Sequence, residues 1–137
     1  MNLIELATLF RAINIYTHQA HHLTKGDTFL QDHTFFSEIY SLMDSFYDDL
    51  IERHIGTVDD KIDLHDIMDK VTHMIEVADE NWYKTILDSL ENSLEKIEKL
   101  CKSDISQGTI NLLAGQADQI EVLIYKIKRR LKWLSGY

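Results

Sequence analysis

Proline is missing altogether from these 137 residues, and glycine occurs only five times. A chain so poor in the strongest breakers of regular backbone is not assembled from short strands and tight turns, so long uninterrupted helices are expected. A single cysteine, Cys101, excludes an intrachain disulfide framework, and a reducing, cytoplasmic setting is the expectation. Its helical position is core-like, which predicts a small buried hydrophobe rather than a reactive thiol. Positive charge is also scarce: 14 Lys and Arg stand against 23 Asp and Glu, a formal net charge of −9. That balance opposes nonspecific attraction to nucleic acid over most of the surface and suits a soluble protein, or one that attracts cations. No apolar run approaches the length that spans a bilayer. The opening MNLIELATLF lacks the basic start and long apolar run of a signal peptide. The length fits one domain, residues 1–137, and not two.

What the chain has in abundance is helical periodicity. A first helix is expected over residues 2–25, burying Leu3, Leu6, Ala7, Phe10, Ile13 and Ala20, with His21 on the same stripe near its end. Lys25-Gly26 then offers a helix end and a turn. Residues 29–55 give a second helix with the stripe Phe29, Phe36, Tyr40, Met43, Tyr47 and Ile51, on which His33 also falls, and Gly56-Thr57 is expected to stop it. An acidic loop over residues 58–63 leads to a short amphipathic segment from Leu64 to His73 or slightly beyond, carrying Ile67, Met68, Val71, Met74 and Ile75. Asp79-Glu80-Asn81 can start a third long helix with Trp82, Ile86, Leu90, Leu94, Ile97 and Cys101 inside and the pairs Glu95–Lys99 and Glu98–Lys102 on a solvated face. After a break at residues 102–104, Asp104 or Ser106 can cap a last helix over residues 106–134. Its stripe is Leu113, Ala117, Ile120, Ile124, Ile127, Leu131 and Leu134, widened by Leu112 and Leu123. The fold class is all-α, and four long amphipathic helices joined by turns make a four-helix bundle.

The chemistry concentrates in HHLTKGDTFLQDHTFFSEIYSLMDSFYDDLIERHIG, from His21 to Gly56. Imidazole and carboxylate together suit a borderline metal such as ferrous iron. Asp44, Asp48 and Glu52 follow one another at four-residue steps beside the stripe. Like charges so placed repel by a few tenths of a kcal/mol, about 0.2–0.5, so a cation is expected there, whether a metal ion, Arg53 or a lysine from elsewhere. His33 and Asp48 lie fifteen residues apart on one helix, a separation of roughly 22 Å. They cannot hold one ion within one chain. A site that uses both needs two copies, their helices antiparallel about a two-fold axis, so that the histidine end of one meets the carboxylate end of the other. His21 can join His33 from the same chain across the turn.

This stretch resembles the Dps family of ferritin-like mini-ferritins, whose pattern of His, then Gly and Phe, then His, then Asp followed by Glu-Arg is met by His21, Gly26, Phe29, His33, Asp48, Glu52 and Arg53 without a gap. Two positions depart from the family pattern: His22 stands where it has Trp, and Ser37, a weak neutral ligand, where it has Asp. The resemblance implies a ferritin-like four-helix bundle with a short extra helix between the second and third long helices. It also implies iron ligation between two-fold-related subunits, His21 and His33 from one chain and Asp48 and Glu52 from the other. The activity implied is a ferroxidase, oxidising ferrous iron with peroxide or oxygen and storing ferric product inside a homo-oligomeric, dodecameric shell. The segment QGTINLLAGQADQIE is similar to the start of the last helix in the same family. An ordinary ferritin site inside one bundle is disfavoured, since no Glu is followed three residues later by His.

Other readings stay open. A scaffold or interaction protein could retain the bundle and lose the oxidation chemistry, as Ser37 suggests. The basic C-terminal residues Lys126, Lys128, Arg129, Arg130 and Lys132, near Trp133, could touch nucleic acid. They equally complement a helix dipole or form intersubunit salt bridges. His18 and His22, four residues apart, have the spacing of a zinc-holding pair, although two exposed histidines without metal are the favoured reading there.

Overall fold

The computed structural model describes residues 2–58, 61–76 and 81–134. Among the described residues the structure is helical, with α1 (Leu3–Leu23), α2 (Phe29–Val58), α3 (Leu64–Glu76), α4 (Trp82–Cys101) and α5 (Gln107–Leu134). Among the described residues no helix is long and apolar enough to cross a membrane. The expected helix start at Asp79 and Glu80 lies outside the described residues, as do part of the acidic loop and the side chains of Trp133 and Leu134.

The chain divides into two compact units, one holding α1 to α3 and the other α4 and α5. In the first, α1 and α2 form an antiparallel hairpin whose register can be read from its contacts. Phe10 meets Phe46, their ring centroids 5.3 Å apart. Arg11 meets Asp44 at 2.9 Å, the Asn14 amide donates to the Tyr40 carbonyl at 2.7 Å, and His21 meets His33. As the number rises on one helix it falls on the other. The turn depends on Gly26, whose φ of +101° is costly for any residue with a Cβ. Around it, Thr24 N–H donates to the Ala20 carbonyl at 2.9 Å and Phe29 N–H to the Gly26 carbonyl at 3.1 Å.

Every α1 residue expected in the core is buried. On α2 the buried row is rotated from the expected one: Asp32, Phe36, Ile39, Met43, Phe46, Leu50 and Ile51 are buried, whereas Tyr40 and Tyr47 are half-buried flankers. Two interleaved stripes satisfy a 3.6-residue period here, and packing against α1 selects the one rich in compact apolar side chains. The tyrosines at the margin serve polar neighbours instead, Tyr47 lying under the Arg11 guanidinium 3.9 Å from its ring centroid. Gly56 does not stop α2, which continues to Val58. A helical glycine costs only about 1 kcal/mol relative to alanine, and the Thr57 hydroxyl bonds back to the Arg53 carbonyl at 2.7 Å within the same helix. On α3, which packs on α1, Ile67 and Val71 are buried and Met68 is 44% exposed.

In the second unit α4 packs on α5. The α4 core is Tyr83, Ile86, Leu87, Leu90, Ser93, Ile97 and Leu100. Trp82, Leu94 and Cys101, expected inside, are half-buried because the seam runs one position away from them. On α5 Leu113, Ile120, Leu123 and Ile127 are buried, joined by Thr109 and Gln116. Ser106 is the N-cap, its Oγ accepting from the Thr109 N–H at 3.1 Å.

Candidate metal centre

The helix hairpin brings His21 at the end of α1 against His33 in the second turn of α2. Their rings stack with centroids 3.6 Å apart and planes 21° from parallel. Each ring is tied to the other residue's backbone: His21 Nδ1–H donates to the His33 carbonyl at 2.7 Å, and His33 Nδ1–H donates to the His21 carbonyl at 2.9 Å. A carbonyl oxygen can only accept, so both Nδ1 atoms carry a proton. In the neutral ring the lone pair then lies on Nε2, the atom left to ligate. A backbone carbonyl on the far ring nitrogen is a usual support behind a metal-bound imidazole, fixing both tautomer and ring plane. Both rings are half-buried, and Phe29 covers His33 at 5.0 Å between centroids.

Asp48 and Glu52 are on the exposed surface of α2, one turn apart. Neither has an ion-pair or hydrogen-bond partner among the described residues. Asp44, the first of the acidic row, does have one. Its cation is Arg11 from α1, at 2.9 Å, and not Arg53. The row is therefore neutralised at its start and left negative at Asp48 and Glu52. Fifteen residues of continuous helix separate His33 from Asp48, so one chain holds the two halves of the expected ligand set apart. Among the described residues no group of three or more His, Cys, Asp or Glu side chains is arranged to hold a metal ion. Ser37 is half-buried.

Three participants escaped sequence reasoning. Tyr40 stacks on His18 at 4.2 Å and meets the His21 ring edge-on at 5.3 Å between centroids. Asp32 is a buried carboxylate in the first turn of α2, accepting from the Thr28 hydroxyl at 2.8 Å. The Thr28-x-x-x-Asp32 spacing at a helix start was its available signal, since a carboxylate there faces the positive end of the helix dipole. Arg11 is the third; nothing in its local sequence indicates that Asp44 lies across the hairpin.

The basic end of α5 is partly used within its own unit. Lys128 approaches Glu91 at 3.9 Å, and the Arg130 guanidinium lies over the Tyr83 ring at 5.3 Å. Lys126, Arg129 and Lys132 are exposed.

No family model matches this chain, and no curated protein or solved structure is significantly similar to it.

Proposed function

We propose that this chain is a Dps-like iron-handling protein, in which α1, α2, α4 and α5 supply the long helices of a ferritin-like four-helix bundle and α3 the short extra one. Ferrous iron is the substrate. It binds between two copies, on Nε2 of His21 and His33 from one and on the carboxylates of Asp48 and Glu52 from the other; the two rings, stacked 3.6 Å apart between centroids, move apart for both to reach one ion. The observation that carries this reading is the reciprocal tie between the two histidines, which presents two imidazoles in the ligating tautomer at one end of the hairpin. The unpaired Asp48 and Glu52 at the other end add the negative charge that a divalent ion requires.

Exposed apolar residues fit the same arrangement. Leu23 and Leu30 stand near the histidines, 53% and 74% exposed, and Ile55 and Val58 stand beyond the carboxylates, 39% and 52% exposed. An antiparallel second copy would bring the first pair towards the second, removing apolar surface from water as it assembles the site. Each bound ferrous ion gives up one electron. A peroxide takes two such electrons and two protons and leaves as two waters, and the ferric product is stored within a homo-oligomeric, dodecameric shell.

Anaerobic titration with ferrous iron, followed by peroxide, tests this reading. Saturable binding and a ferric absorbance band are expected in the wild-type chain and lost in His33→Ala and in Asp48→Ala. A correctly assembled oligomer that binds no iron would leave a scaffold only, the outcome that Ser37 in place of a carboxylate would explain.

A further inference from the structure

The histidine cluster at the end of α1 extends beyond the pair just described. His18 and His22 lie one turn apart, both on the exposed surface, with ring centroids 4.6 Å apart and planes 31° from parallel. Unlike His21 and His33, they have no hydrogen-bond partner on any ring nitrogen among the described residues. The His18 ring is also stacked on Tyr40, at 4.2 Å between centroids.

Those distances meet a metal requirement. With metal–nitrogen bonds of about 2.0–2.1 Å, two imidazoles on one ion at right to tetrahedral angles set their ring centroids roughly 4.5–5.2 Å apart. The observed 4.6 Å lies inside that interval, and ligation of one ion requires rotation about the side-chain bonds that turns a nitrogen of each ring towards it. The surroundings favour a cation as well. The pair sits in the last turns of α1, where the carbonyl end of the helix carries partial negative charge, and the whole chain carries a formal charge of −9. No carboxylate completes the pair within the described residues. An all-imidazole donor set selects late first-row ions and disfavours magnesium and calcium, which prefer oxygen.

The His21 ring lies nearby, 5.4 Å from His22 and 6.0 Å from His18 between centroids, but its Nδ1 is tied to the His33 carbonyl. We propose that His18 and His22 form a second metal site beside the His21–His33 pair, one that takes a late divalent first-row ion of the copper, nickel and zinc class through two imidazoles, with water in the remaining positions. The site is local to α1 and needs no second copy of the chain. It therefore stands whether or not iron is bound between subunits.

Zinc(II) is the probe, used on the full chain carrying His21→Gln and His33→Gln so that neither neighbouring imidazole can hold the ion. Calorimetry is expected to show one zinc ion per chain, and the ring nitrogen NMR signals of His18 and His22 to shift together on its addition. Adding His18→Ala or His22→Ala to that variant should weaken binding by about tenfold or more with the far-ultraviolet circular dichroism unchanged, since both side chains are exposed. The proposal is overturned if the chain carrying His21→Gln and His33→Gln binds no zinc, or if its affinity is the same with His18 and His22 replaced. Loss of ferrous binding in His33→Ala, with zinc still held at His18 and His22, separates this site from the iron site.

Discussion

At the scale of single residues, the hairpin that builds the candidate site depends on one backbone conformation. Gly26 has a φ of +101°, and a Cβ placed there would meet nothing within 4 Å. The requirement is therefore conformational and not steric, and Gly26→Ala should cost about 1–2 kcal/mol, measured by urea denaturation. A core position costs more. Phe10 is fully buried against Phe46, and Phe10→Ala should lower stability by about 3–5 kcal/mol. That His21 and His33 can meet across the turn at Gly26 was legible in the sequence, and the structure stacks their rings. Tyr40, Asp32 and Arg11 were not legible in this way, since each acquires its role from a partner on another turn or another helix.

At the scale of elements, helix ends and helix faces contribute unequally. The Ser106 cap satisfies a backbone N–H that has no partner within α5, so Ser106→Ala should reduce stability by about 1 kcal/mol. Lys84 and Asp88 make a 2.8 Å ion pair on the exposed face of α4. The hydrogen bond and charge of Asp88 hold the Lys84 ammonium above its ordinary range. A raised lysine favours the folded chain below its unfolded value and loses that effect as pH rises through the folded one. With both groups in water and screened by salt, Lys84→Ala should leave the denaturation midpoint at neutral pH unchanged within error. The contrast follows from solvent: a cap replaces a missing hydrogen bond, and an exposed pair replaces contacts with water. Helix positions were legible to within a few residues, whereas the buried stripes of α2 and α4 were each displaced. Periodicity admits neighbouring stripes on one helix, and the packing partner selects among them.

At the scale of the whole molecule, the separation of histidines from carboxylates along α2 makes assembly the condition for the proposed inter-subunit site. Sedimentation velocity of the wild-type chain should give a particle of many copies. Leu30→Lys, which places charge on a residue 74% exposed in the single chain, should shift that particle towards smaller species while the helix content is retained. A monomeric wild-type protein would remove the inter-subunit site and leave the His18–His22 pair as the metal-binding feature to test.

The amino-acid order by itself determined an all-helical chain, the turn at Gly26, and the rule that His33 and Asp48 never share an ion within one copy. These are local properties, fixed by backbone preference and by the rise of a helix. Only the tertiary structure decided that His21 and His33 tie each other's Nδ1 atoms, that Arg11 neutralises Asp44 while Asp48 and Glu52 have no partner among the described residues, and that Tyr40 stacks on His18. Each of those depends on the antiparallel register of α1 against α2, which is set by how side chains interdigitate across the hairpin and not by the spacing of residues along either helix.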